Sequence, residues 1–184
     1  MLVDTHCHIY KEYYDDIDNI LFEMKKNGID KIINNGCDFN TSLEVLELSK
    51  SCDNMFCAIG IHPDEIGDSF DDFVKLFLTN LENKKLVAIG EIGLDYFHNK
   101  DNKNEQIKLL ENQLRLAQKY DYPVIIHSRE STGDMISILN DNGITYCVWN
   151  YLSTPNDGNR FSLVDDDNRR ILSENLAEII RGNV

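Results

Sequence analysis

No stretch of this sequence stays apolar for the ~18–20 residues that a membrane-spanning helix needs, so the chain reads as water-soluble with no membrane partner. A signal peptide is equally hard to place: the first ten residues carry Asp4, His6 and His8 where such a leader has a basic start and an apolar centre. Together these absences predict a cytoplasmic protein. The 5 cysteines are odd in number and include no Cys-x-x-Cys, which fits reduced thiols better than a disulfide framework. Cys52 and Cys57 are open to a zinc-knuckle reading, but two small buried side chains account for them more simply. Positive charge is scarce, and 18 Lys+Arg against 32 Asp+Glu leave a formal net charge of −14. That argues against a broad electrostatic grip on DNA or RNA. Nucleic acid stays open as a substrate if a local cation site supplies the attraction, metal ions being the obvious candidate. No Gly-rich phosphate loop follows the first strand pattern, which leaves a dinucleotide fold with little support. No linker or low-complexity segment divides the chain.

What is present is an alternation. With 184 residues and a 42% apolar fraction, residues 1–184 are expected to form a single globular domain. "LVDTHCH" reads as a first strand, and Ile17, Ile20, Leu21 and Met24 then fall on one helix face that Gly28 ends. "KIINNG" is a second strand, followed by a helix over "TSLEVLELSK" with Thr41 or Ser42 as its N-cap. "FCAIGIHP", "LVAIGEIGLD" and "YPVIIHSR" are the third, fourth and fifth strands. Helical patterns lie between them at Phe70–Leu81 and Ile107–Ala117. "GDMISILND" is a short helix stopped near Gly143, and "ITYCVWNY" a sixth strand. Near-continuous apolar strands separated by helices imply an α/β protein with a parallel sheet buried on both faces. The alternation is compatible with a barrel or with an open doubly wound sheet.

Polar residues collect at one place in this scheme. Side chains alternate along a strand, so Asp4, His6 and His8 share a face and Cys7 points away. His62 ends the third strand, Glu91 lies in the fourth, and His127 ends the fifth. The C-terminal strand ends are where parallel α/β folds build their sites. Each residue alone has a plainer account. His62 before Pro63 can cap a turn, and His127 after Val-Ile-Ile can be a hydrogen-bonded core histidine. A buried Glu91 needs a partner in any case. Their coincidence at equivalent strand ends favours metal binding, and imidazole with carboxylate suits Zn²⁺, Mn²⁺ or Fe²⁺, with Mg²⁺ in a mixed site.

"DTHCH", "AIGIHP", "AIGEIGLDY" and "PVIIHSR" resemble, in order and spacing, the TatD family of metal-dependent deoxyribonucleases within the amidohydrolase-like TIM barrels. The resemblance runs clearly over residues 1–142. It implies an incomplete (β/α) barrel in which His6 and His8 bind one divalent ion, Glu91 bridges two, and His127 binds the second. The ions would be Mg²⁺, Mn²⁺ or Zn²⁺, and Glu91 is the catalytic centre of the set. His62 falls on the phosphate-binding side, and Arg129 is a candidate phosphate donor or, equally, half of a surface salt bridge. Residues 143–184 depart from the family, as a shortened or divergent C-terminal part. The family's strand-six His-Cys-Phe/Tyr-Ser-Gly and strand-eight Thr-Asp-x-Pro motifs are absent, and no histidine follows His127. "YLSTPNDGNR" and "NLAEIIRGN" resemble the family's end, which implies an internal loss. A second alignment puts Asp166 near the missing Asp, although Asp165, Asp166 and Asp167 also suit a solvated helix start.

The expected activity is metal-dependent phosphodiester hydrolysis on DNA, weakened by the incomplete ligand set. Two other functions compete with it, a non-catalytic metal- or partner-binding remnant and an amidohydrolase acting on an amide or lactone. An open barrel exposes two strand edges, which the tail or a second copy of the chain is expected to cover.

Overall fold

The computed structural model describes residues 2–98 and 100–146. The sixth-strand reading from Cys147 onward, the two alignments of the tail, and Asp165–Asp167 lie outside these residues, and Ile144–Tyr146 form no strand. The chain divides into two compact units, 1–135 and 136–184.

The first unit alternates strand and helix throughout: β1 (Leu2–Cys7), α1 (Ile17–Lys26), β2 (Ile29–Asn35), α2 (Phe39–Ser51), β3 (Met55–Ile59), a 3-10 turn (Pro63–Glu65), α3 (Phe70–Thr79), β4 (Leu86–Asp95), α4 (Lys103–Tyr120) and β5 (Val124–Arg129). The last helix, α5 (Thr132–Asp141), starts in this unit and ends in the second. There Gly143, at φ +64°, takes the left-handed position that closes the helix, and Ile144 N donates to Leu139 O at 2.9 Å. Among the described residues no helix is long and apolar enough to cross a membrane.

All five strands are parallel and stand in chain order, β1-β2-β3-β4-β5. This order decides between the two architectures left open above. A doubly wound sheet reverses its strand order and so places helices on both faces. Right-handed crossovers in an unreversed order put every helix on one face, and the other face is free to curl inward. The curl is visible in the side chains: His6 on β1 and Glu91 on β4 approach to 3.0 Å. A flat sheet with ~4.8 Å between strands would hold β1 and β4 ~14 Å apart. The fold is therefore α/β with an incomplete TIM-type barrel sheet.

The core lies between this sheet and its helices. On α3, Phe73 and Phe77 are buried one turn apart, and on α4, Leu110, Leu114 and Ala117 form the buried face. Ile59, Ile89, Ile92 and Leu94 of β3 and β4 are fully buried. Cys52 and Cys57 are free thiols, and Cys57 is buried, its pKa pushed up to about 11 by that burial. Neither belongs to a metal-capable group among the described residues; Cys57 fits the buried small-residue account, whereas Cys52 is half-buried against the core.

One cap differs from expectation. The N-cap of α2 is Asp38, and the helix begins at Phe39, ahead of Thr41. The Asp38 carboxylate accepts from Thr41 N at 2.7 Å, while Thr41 Oγ1 accepts from Asp38 N at 3.0 Å, a reciprocal capping box. Thr41 is thus the third helical residue rather than the cap. Asp38→Ala is expected to cost ~1 kcal/mol of stability, read as a lower urea midpoint at unchanged slope. An unchanged midpoint would show that Thr41 caps alone.

Candidate metal centre

The site is built at the C-terminal ends of the strands, from backbone that three buried amide side chains hold in place. Asn34 on β2 clamps Ile9, beside His8: its Oδ1 accepts from Ile9 N and its Nδ2 donates to Ile9 O, both at 2.8 Å. Gln113 on α4 clamps Ile61, beside His62, in the same way at 2.8 and 3.0 Å. Gln106 clamps Asp95 at 2.8 and 2.9 Å. Each amide mimics a strand partner where the ladder has ended, satisfying a backbone N–H and C=O that burial would otherwise leave unpaired.

On this frame three histidines converge on one carboxylate. Glu91 is 5% exposed. Its Oε2 lies 3.0 Å from His6 Nε2 and 3.1 Å from His8 Nε2, and its Oε1 lies 3.0 Å from His127 Nδ1. His6 is within β1, whereas His8 sits one residue past the strand end, so the simple strand alternation does not extend to it. His8 reaches Glu91 because its Nδ1 faces the Asn35 carbonyl oxygen at 3.1 Å. A carbonyl only accepts, so Nδ1 carries the proton and Nε2 faces the carboxylate. Tyr10 donates its hydroxyl to the same carbonyl.

The donor set divides into groups that share Glu91: His6, His8 and Glu91, and His62, Glu91 and His127. His62 stands apart from the other imidazoles in one respect. It lies three residues beyond β3, not at its end, and is the N-cap of the 3-10 turn, with Nδ1 accepting from Asp64 N at 3.2 Å. The lone pair on Nδ1 is thereby used, and a neutral His62 carries its proton on Nε2. It still lines the site, its ring edge-to-face with His127 at 4.3 Å. Capping and site-lining both hold for this residue.

The charges fit the geometry. Burial pushes Glu91 up, but hydrogen bonds from His127, His6 and His8 outweigh it and hold the carboxyl far below the usual range. Burial pushes His8 down, and its contacts with Cys37 and Glu91 more than reverse that, to about 10. His127 is likewise raised, by Glu91 and Asp95 against burial. Burial and the neighbouring His127 lower His62 to about 4. A protonated His8 helps to neutralise Glu91, and once its Nε2 gives up that proton, the His6 and His8 nitrogens with one Glu91 oxygen form a donor set of the kind that binds Zn²⁺ or Mn²⁺.

Arg129 ends β5 and is exposed, with its guanidinium 4.1 Å above the Phe97 ring. It pairs with no carboxylate among the described residues, and the contact it makes there is this stacking one. Several site neighbours were not singled out by the sequence pattern. Asp95 is 1% exposed and accepts from His127 Nε2 at 3.1 Å and His98 Nδ1 at 3.0 Å. Burial pushes Asp95 up, but hydrogen bonds led by those from His98 lower it to about 2. Asp64, Asp95 and His98 form a further metal-capable group. Asp95 lies in the same "GEIGLDY" run that holds Glu91, which is the one local signal pointing to it.

A barrel-type parallel sheet that brings His6, His8 and His127 around one buried glutamate defines a metal-binding class of barrel protein. Comparison with known proteins narrows this. The family model described as TatD related DNase matches residues 3–153, and the chain belongs to that family. An uncharacterized metal-dependent hydrolase of Bacillus subtilis (strain 168), YabD, is 35% identical over 144 residues, which are 78% of this chain and 56% of that one. A putative deoxyribonuclease of Danio rerio, tatdn3, is 32% identical over 157 residues, 77% of this chain and 58% of its own. The crystal structure of YjjV, a TatD homolog from Escherichia coli K12, superposes with a TM-score of 0.71 at 32% identity, covering 78% of this chain and 56% of that one. The chain spans about half the length of these relatives.

Proposed function

We propose that this protein hydrolyses phosphodiester bonds of DNA with two divalent ions bridged by Glu91. The observation that carries the proposal is the buried Glu91 carboxylate, whose Oε2 faces His6 and His8 and whose Oε1 faces His127. His6, His8 and Glu91 would hold one ion, and Glu91 with His127 the other. Ions so placed supply Lewis acidity toward phosphoryl oxygens and lower the pKa of bound water. The chain's own residues do the rest. His8 is oriented by Asn35, so its Nε2 already faces the Glu91 carboxylate and becomes a ligand when its proton is displaced. His62 serves as a neutral Nε2–H donor to a phosphate oxygen rather than as a ligand, because its Nδ1 is committed to Asp64 N. Arg129 offers guanidinium edges to a second phosphate oxygen, a local positive group on a chain of net charge −14. The similarity to the Danio rerio protein named a putative deoxyribonuclease supports DNA as the substrate class.

The test is nucleotide release from a labelled single-stranded oligonucleotide against a titration of Mn²⁺ or Mg²⁺, with metal content per chain measured alongside. Turnover is expected to be weak and to rise into the millimolar range of added metal, since, with His62 Nδ1 committed to Asp64 N, Glu91 and His127 are the ligands that the described residues offer the second ion. Absence of turnover at every metal concentration would contradict the proposal. Metal uptake should also depend on pH. A proton and a cation compete for the same ring nitrogens, and His8 and His127 both hold their protons more tightly than a free imidazole. Affinity is therefore expected to rise with pH between 6 and 8, by roughly tenfold per unit for each proton displaced. Calorimetry in buffers of different ionisation enthalpy reads the released protons. A pH-independent affinity would place the metal elsewhere.

A further inference from the structure

Both ring nitrogens of His127 face a carboxylate. Nδ1 lies 3.0 Å from Glu91 Oε1, and Nε2 lies 3.1 Å from Asp95 Oδ2. Glu91 belongs to the proposed ligand set and Asp95 does not. Asp95 is held on every side. Its Oδ1 accepts from Phe97 N and His98 N, each at 2.9 Å. Its backbone is clamped by Gln106, and its Oδ2 also meets His98 Nδ1 at 3.0 Å. A carboxylate bound this way has no freedom to turn from His127.

We propose that Asp95 is a positioning residue for His127: it accepts the Nε2 proton, so that the Nδ1 lone pair is directed at Glu91 and the second ion. The inference rests on the two-metal reading above. Its physical basis is that a neutral imidazole has one N–H and one lone pair, and an acceptor-only partner at Nε2 settles which is which. The same contact orients the ring and raises its basicity as a ligand.

The sharpest test is Asp95→Asn. The turn at Phe97 and His98 requires an oxygen at the Oδ1 position, so the new amide keeps its oxygen there and presents NH₂ where Oδ2 was. That NH₂ faces Nε2 as a donor, Nε2 must accept, and the His127 proton moves to Nδ1, the nitrogen that faces Glu91. The turn keeps its acceptor, so the variant is expected to fold. Two readouts follow with Zn²⁺ as the only added ligand. Nitrogen-15 correlation spectra of the histidine rings report which nitrogen is protonated and which is metallated. Equilibrium titration resolves the two ions. In the wild type, His127 is expected to carry its proton on Nε2 and metal on Nδ1. In Asp95→Asn the second ion is expected to bind ~10–100-fold more weakly, with the ion at His6 and His8 unaffected. The spectrum of the wild type alone suffices if the variant does not fold.

A wild type with metal on Nε2 of His127 overturns the inference, as does an Asp95→Asn protein with wild-type ring protonation and affinity. A wild type that takes up one ion with His127 unperturbed also overturns it, while leaving the His6, His8 and Glu91 centre standing. A wild type that takes up no zinc overturns the two-metal reading and this inference with it.

Discussion

Glu91→Ala is expected to lose both metal ions and to bring hydrolysis to background. One carboxylate serves both groups, so its removal takes a ligand from each position at once. Loss of a partner one shell further out already costs ~10–100-fold in metal affinity or activity, and a bridging ligand sets a larger effect on both ions together. His6→Ala with His8→Ala should instead empty one position and leave the other partly filled. Metal content per chain distinguishes the two outcomes. The metal-free variant faces a second consequence, because three imidazoles lose the anion they surround. Breaking a buried ion pair from one side typically destabilises by ~3–5 kcal/mol, so circular dichroism must confirm a folded chain. Glu91→Gln, of the same shape, serves as the control. Retained metal stoichiometry in folded Glu91→Ala would remove Glu91 from the centre and the bridging role with it.

Gly93→Ala is expected to be the most damaging small substitution in the sheet. Gly93 on β4 pairs with His127 on β5. A Cβ built at Gly93 would lie 1.8 Å from the His127 carbonyl oxygen, 2.7 Å from its carbon and 3.0 Å from its Cα. All three are backbone atoms, so no rotamer change relieves the contact and β4 and β5 must separate. Overpacking of a side chain costs ~1–3 kcal/mol, and a backbone collision at this distance belongs at or above the top of that range. The strands would part at the residue that also supplies the imidazole facing Glu91. Urea denaturation should show a large fall in midpoint, or the protein should fail to accumulate in soluble form. A midpoint equal to that of the wild type would mean that the two strands do not approach as described.

Much of this architecture is local information. β4 spans Leu86–Asp95, the same ten residues that read as a strand, because a run apolar on both faces has only a doubly buried position to occupy. The face of α1 at Ile17, Ile20, Leu21 and Met24 and the stop near Gly143 follow from periodicity and turn chemistry in the same way. His6, His8, Glu91 and His127 stood out in the sequence because they fall in or just past otherwise apolar strands. Their arrival at a single carboxylate was not legible, since the pattern reports a shared rim but no distance across it. His127 and Glu91 are 36 residues apart in the chain, and His127 and Asp95 are 32. Contacts at such separations exist only once the sheet has curled. The same holds for Asn34, Gln106 and Gln113, whose polar side chains look like surface residues in sequence. Tertiary structure makes them buried clamps, because the strand ends they face have run out of ladder partners and an unpaired backbone N–H or C=O is costly inside the protein.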